Sequence, residues 1–229
     1  MFTLYITNKR YSSWSMRPWV LLKALNIPFE EKLVKAKAAR RQLHFAEFSP
    51  TAKVPCLHDT EEGIVVWESL AVCEYIAEQH PQVWPSDRAA RAWARAAAAE
   101  MHAGFNAIRN ECSMNVGVRV AFGTVPADLQ EDLDRFSALF KEGLKKFGGP
   151  WLAGKEFSVA DAFFAPIASR TKTYGLKLDG EAREYIDRLF EHPGVKEWIE
   201  DGIRESDREP YHEADTTKDG RVVIEELSI

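Results

Sequence analysis

Residues 53–79 read KVPCLHDTEEGIVVWESLAVCEYIAEQ, and this stretch decides the fold. It opens on a Val-Pro step into a strand around residues 55–58. Glu62-Gly63 makes a tight turn, and the run IVVW at 64–67 is a second strand. From Ser69 to Gln79 the apolar residues recur at helical spacing, which stops at His80-Pro81. Two strands joined by a short turn and followed by a helix form the second half of a compact unit.

The first half lies upstream. FTLYIT at 2–7 is rich in aromatic and β-branched residues and reads as a strand, and 8–15 is a polar loop. Trp19, Val20, Leu22 and Leu25 mark a helix over 16–25 that stops near Asn26-Ile27-Pro28, and a second strand follows at 29–34. The basic, polar stretch 35–42 is a loop or irregular helix that 43–48 continues. The order β-α-β-α-β-β-α gives one α/β unit, a crossover pair of strands followed by a hairpin pair.

Beyond Pro85 the strand signals nearly vanish. The spacing predicts an Ala-rich helix over 87–109, another over 127–147 with Leu129, Leu133, Phe136, Leu139, Phe140 and Leu144 on one face, and further helices at 158–173, 181–190 and 194–202. The chain therefore divides into an α/β domain at 1–81, a linker at 82–86, an all-α domain at 87–205 and a tail at 206–229.

The bulk numbers set limits. The 229 residues are 45% apolar and 28% charged, with a net charge of -5, so a large core is available without a disulfide or metal staple. Mild acidity argues against nucleic acid or an anionic membrane as main partner. No apolar stretch approaches the roughly 20 residues that span a bilayer, and MFTLYITNKRYSS has no signal-peptide pattern. Cys56, Cys73 and Cys112 form no CxxC pair and no zinc-ligand spacing, which points to reduced thiols in a cytoplasmic protein without metal.

Three short signals carry chemistry, and each has a plainer alternative. Tyr11-Ser12-Ser13-Trp14-Ser15 stands where the first strand meets the first helix. A helix N-terminus favours an anion, and a hydroxyl there can donate to a bound thiolate and lower its pKa; simple capping is the alternative. Lys53-Val54-Pro55-Cys56 fits a cis peptide that turns the Val54 backbone toward an extended ligand, or an ordinary trans proline at a strand start. Trp67-Glu68-Ser69-Leu70 opens a helix where Glu68 and Ser69 could take an α-amino and an α-carboxylate group, or merely cap it.

In this order and spacing, the three signals together resemble the N-terminal domain of the cytosolic glutathione transferases, over residues 2–79. The resemblance implies a thioredoxin-like first domain, with a cis Pro55, main-chain pairing of Val54 to the cysteinyl part of glutathione, Glu68 and Ser69 at its γ-glutamyl end, and Lys53 as a further contact. WLAGKEFSVADAFFAP at 151–166 looks like that family's buried helix start, with Ser158 and Asp161 as a capping box; its role is structural. Homodimers are common in the family, and a homodimer is carried over by resemblance only.

Members differ in the group that meets the sulfur. No Cys starts this helix, so mixed-disulfide chemistry is not expected. SSWSMR is similar to the SSCS-x-R run of the serine-type zeta class, maleylacetoacetate isomerase-like enzymes, with Trp14 in place of Cys. That alignment puts Ser12 at the catalytic position, with Ser13 second, Ser15 third and Tyr11 as an outside candidate. Trp14, Met101, Phe105, Arg109 and Met114 are spaced to line a second-substrate groove, with interhelical core as the alternative for the apolar members and a surface salt bridge for Arg109.

The expected function is a detoxifying glutathione transferase that sends the glutathione thiolate at an electrophilic, apolar or aromatic second substrate. The alternatives are a glutathione-dependent cis-trans isomerase and a non-catalytic binding protein. DTTKDGRVVIEE at 215–226 nearly fits a calcium loop, but Thr217 stands at position 3 and no exiting helix follows, so a solvated tail or a hairpin about Asp219-Gly220 is expected.

Overall fold

A computed structural model of the chain describes residues 1–39 and 41–228; Arg40, inside the stretch read as a loop, and Ile229, at the end of the tail, lie outside them. The sheet is built from β1 (Phe2–Ile6), β2 (Phe29–Leu33), β3 (Cys56–Asp59) and β4 (Ile64–Trp67), in the order β2-β1-β3-β4. β1 runs parallel to β2 and antiparallel to β3, and β4 is antiparallel to β3. Central β1 is buried nearly throughout, Thr3 included, as a strand between two neighbours and under helices requires. Edge strand β4 leaves Ile64, Val65 and Trp67 exposed.

Helix α1 (Ser13–Ala24) joins β1 to β2 and packs against α2 (Ser69–Gln79). It begins three residues earlier than its apolar spacing predicts. Ser12 is the N-cap and Ser13 to Ser15 already form the first turn, so the serine run is helix start and not loop. Trp19, Val20, Leu21 and Leu22 are all fully buried, because α1 is covered on both sides, by the sheet unit and by the helices that follow.

Those helices are α3 (Arg88–Ala103), α4 (Asn106–Glu111), α5 (Ala127–Phe147), α6 (Val159–Tyr174), α7 (Gly180–Glu191) and α8 (Pro193–Arg204). The single helix expected over 87–109 is broken. Phe105 adopts a left-handed backbone with φ 57°, and its ring stacks on Phe136 at 4.2 Å between centroids. Arg109 then caps the end of α3, its guanidinium donating to the carbonyls of Met101 and Gly104. α6 is the axle of this half: it packs against α1, α3 and α7 and is buried along almost its whole length. Its start is a capping box, with the Ser158 N–H and hydroxyl donating to Asp161 at 3.0 and 3.1 Å.

The tail departs from expectation. It forms α9 (Pro210–Thr216) and then β6 (Val222–Glu226), which pairs antiparallel with β5 (Val118–Ala121), a hundred residues earlier. No hairpin forms about Asp219-Gly220. The acidic positions of the calcium-like stretch are split between helix and strand, Asp215 within α9 and Glu226 opposite Val118. Among the described residues no cluster of three His, Cys, Asp or Glu side chains could hold a metal ion, and no helix is long and apolar enough to cross a membrane.

Candidate functional site

The loop between β1 and α1 is held from the far end of the chain. The main-chain N–H groups of Lys9 and Arg10 donate to the two carboxylate oxygens of Glu205 at 2.8 and 3.1 Å. Lys9 Nζ reaches Asp201 at 2.7 Å and lies over the Trp19 ring. The Tyr11 hydroxyl donates to Glu213, and its ring stacks on His212 at 5.1 Å. These ties fix the backbone from which Ser12 and Ser13 project. They also spend the Tyr11 hydroxyl, whose pKa burial and the Glu213 carboxylate push up; a phenol so engaged is a poor donor to a thiolate.

Beside this loop opens a cavity of about 1070 Å³. It is lined by Ser12, Ser13 and Trp14 at the start of α1, by Lys53 and Val54 of the loop before β3, by Arg109, Ser113, Met114 and Arg170 of the helical half, and by Glu209 to His212 of the tail. The Val54-Pro55 peptide is cis, and Pro55 is buried behind Val54. The Ser12 hydroxyl donates to Ser15 Oγ at 2.8 Å and accepts from the Ser15 N–H. Ser13 is buried and its Oγ accepts from Arg170 Nη2 at 3.4 Å. The positive end of the helix dipole adds to a field that favours an anion here.

Glu68 and Ser69 sit at the start of α2 and are not among the residues lining this cavity. Their backbone is nonetheless unusual. Glu68 holds φ 68°, a strained value for a residue with a Cβ that is found at ligand clamps. The Ser69 hydroxyl is buried with no hydrogen-bond partner, an unmet polar group of the kind that a ligand can complete.

Two pocket candidates are core residues. Met101 is fully buried between helices and Phe105 stacks on Phe136, and neither lines the cavity. They share helical spacing with Arg109, but the break at Phe105 turns the two apolar side chains inward. Trp14 and Arg109 do line it, with the Arg109 and Arg17 guanidinium carbons 4.5 and 4.3 Å from the Trp14 ring. Arg109 makes helix-capping bonds in place of a surface salt bridge, and burial beside Arg170 pushes it down to about 10. The three thiols are free and buried, and none lines the cavity; burial raises Cys56 to about 11 and Cys112 to about 12.

Sequence reasoning missed Arg17, Arg170 and the tail residues that line the cavity. A signal existed for the arginines. Arg17 precedes the apolar run at 18–22 in α1, and Arg170 follows the apolar run at 162–168 in α6; a charge in an otherwise buried stretch of helix has to be explained by what it faces.

The chain matches two family models, "Glutathione S-transferase, N-terminal domain" over residues 11–79 and "Glutathione S-transferase, C-terminal domain" over residues 91–201. Among curated relatives it is 29% identical to "Probable maleylacetoacetate isomerase" of Caenorhabditis elegans, covering 76% of this chain and 81% of that one. It is 27% identical to glutathione S-transferase GstB of Escherichia coli strain K12, covering 78% and 88%. Among solved structures, a Burkholderia glutathione transferase homolog with bound glutathione superposes with a TM-score of 0.66 at 24% identity, covering 89% of this chain and 99% of that one.

Proposed function

Since this protein belongs to the glutathione S-transferase family, we propose that it binds glutathione in the cavity at the start of α1 and aims the ionised sulfur at an electrophilic carbon of a second small molecule. The protein is a transferase with glutathione as co-substrate. The observation that carries the assignment is that one cavity is lined both by Ser12 and Ser13 at a helix N-terminus and by Val54 before a cis proline.

On this reading the γ-glutamyl end of glutathione lies at Glu68 and Ser69. The orphaned Ser69 hydroxyl and the strained Glu68 backbone support a ligand there. Lys53 is a further contact. Ser12 is the donor to sulfur: it is the less buried of the two serines, and it can turn to the ligand while Ser15, its present partner, donates to it instead. Ser13, tied to Arg170, is the second donor. The thiol proton leaves to solvent. The sulfur then forms a C–S bond as the leaving group departs with its electron pair. Lowering the thiol pKa by about 2 corresponds to about 2.7 kcal/mol of thiolate stabilisation, within reach of a hydroxyl, a helix terminus and nearby guanidinium groups.

The test is retention on immobilised glutathione, followed by steady-state turnover of an aryl halide across pH. Ser12→Ala is expected to raise the pH midpoint of turnover by about 1–2 and to lower its rate, with little change in glutathione affinity. Unchanged turnover would move the role to Ser13.

A second reading, serine-type and zeta-like, is a glutathione-dependent cis-trans isomerase in which the same thiolate adds reversibly to an alkene. It is favoured by the relative named maleylacetoacetate isomerase and opposed by the bulk of Trp14 beside the serines. Turnover of maleylacetone against an aryl halide decides between them. We further place the enzyme in the cytoplasm as a detoxifying homodimer. The free thiols support a reducing compartment, and the exposed Ile64, Val65 and Trp67 of β4 support a self-association face; sedimentation equilibrium tests the dimer.

A further inference from the structure

Three guanidinium groups meet around Ser13 and Trp14. Arg17 donates to the Ser13 carbonyl at 3.0 Å and to Phe163 O at 3.3 Å. Arg170 donates to Ser13 Oγ and to Cys112 O, the latter at 2.7 Å. Arg17 and Arg109 both approach the Trp14 ring. Arg17 is fully buried and Arg170 is 5% exposed. Among the described residues none of the three forms an ion pair with a carboxylate. Asp132, the acidic group nearest in effect to Arg109, accepts from the Ile108 N–H at 2.9 Å. Two guanidinium nitrogens, Arg17 Nη2 and Arg170 Nη1, are buried with no partner at all.

Such an arrangement is costly. A buried charge is normally paired, and an unpaired one costs several kcal/mol. Here burial holds all three below their ordinary basicity, and repulsion from neighbouring arginines adds to it for Arg17 and Arg109. The bonds these groups make to main-chain carbonyls neutralise no charge, whereas an anion received in the cavity would, and Arg109 and Arg170 both line it. Glutathione does not account for it on the reading above: its γ-glutamyl carboxylate goes to Ser69, and Lys37, Arg41 and Lys53, which also line the cavity, offer cations for its other end.

We propose that the second substrate is an organic acid, an electrophile whose carboxylate docks on Arg170 and Arg109 in the cavity. This rests on the glutathione reading above and adds the chemical class of the partner molecule. The carboxylate takes no part in bond making. The sulfur still forms the new C–S bond and the leaving group still departs with its electron pair; the acid group fixes which carbon faces the sulfur. Arg17, behind Trp14, is a positioning residue that deepens the positive field.

Matched conjugates test this. S-Benzylglutathione and its 2-, 3- and 4-carboxybenzyl analogues are titrated calorimetrically against the wild type, Arg170→Met, Arg109→Met and Arg109→Lys. At least one carboxylated isomer should bind about tenfold tighter than S-benzylglutathione. That ratio should fall to about threefold or less in Arg109→Met and Arg170→Met, and be partly kept in Arg109→Lys, which holds the charge without the fork. Arg109→Met and Arg109→Lys carry the test alone if Arg170→Met does not fold. Equal binding of all four ligands, or a preference that survives every substitution, would overturn the proposal. So would variants that raise the thiol pKa of bound glutathione while keeping the preference, since the cluster would then serve the sulfur. If S-benzylglutathione itself does not bind, the glutathione reading fails and the organic-acid proposal with it.

Discussion

Replacing Asp161 by alanine should unfold this protein at a much lower temperature without touching its chemistry. Asp161 is fully buried at the start of α6. It accepts from four donors: the Leu152 N–H and the Tyr185 hydroxyl on one oxygen, the Ser158 N–H and hydroxyl on the other, all at 3.0–3.1 Å. Burial pushes its carboxyl up to about 6 against the pull of those bonds, so the charge itself adds no stability at neutral pH; the met donors do. The hydroxyls can turn, but the two main-chain N–H groups cannot. Each unmet buried donor costs about 1–3 kcal/mol, so the loss is about 4 kcal/mol. For a chain of this size that lowers Tm by about 8–16 °C. Tyr185→Phe removes one donor and leaves the others paired, and should cost about 1 kcal/mol. Circular dichroism melts and urea midpoints at pH 8 give the stability, and aryl-halide turnover per folded molecule gives the chemistry. A Tm within about 3 °C of wild type with turnover abolished would refute the argument, because Asp161 would then be acting on substrate.

Gly143→Ala decides between helix propensity and packing. In the interior of α5 alanine is favoured by about 1 kcal/mol, but a Cβ there would lie 2.5 Å from the Trp93 ring and 2.6 Å from the Leu152 carbonyl. Net destabilisation of about 1–3 kcal/mol is expected by chemical denaturation; a rise in stability would mean the contact yields. Glu209→Gln should stabilise the protein at high pH only. Burial, with negative Glu205 adding to it, holds Glu209 at about 7, while His212 at 3.5 Å is kept neutral by its own burial. The folded state therefore keeps a proton that the unfolded chain releases, and stability falls as pH rises from the ordinary carboxylate range to about 7. The substitution should add about 1 kcal/mol at pH 8 and nothing at pH 4; an equal gap at both would exclude titration as the cause.

The first half of the fold was readable because its signals are local. The strands of the sheet are short, and Pro28 before β2, Gly63 before β4 and Pro81 after α2 punctuate the elements. The exception is the start of α1. Ser12, Ser13 and Ser15 look like loop, but a helix places its cap and first turn where polar residues are favoured. In the second half, what could not be read depends on distant partners. Nothing near Phe105 announces a left-handed residue; its ring finds Phe136 only in the folded state. β5 and β6 are weak strands that exist by pairing across a hundred residues. In the site, Ser12, Ser13, Trp14, Lys53, Val54 and Arg109 were legible from position and line the cavity; Ser15 does not. Arg17 and Arg170 were not, because a periodic pattern cannot tell a buried cation from one on the surface, and the same spacing left Met101 and Phe105 open between groove and interhelical core.

The clasp of Lys9, Arg10 and Tyr11 by Asp201, Glu205 and Glu213 bears on how the molecule comes into being. During synthesis residues 9–11 leave the ribosome well before the partners that shape their loop, which follow 192 to 202 residues later. A nascent chain stalled before residue 201 would own every serine of the site and none of the anchors that aim them. Grafting the first 81 residues onto another helical bundle should fail likewise, unless the donor's closing segment travels with them.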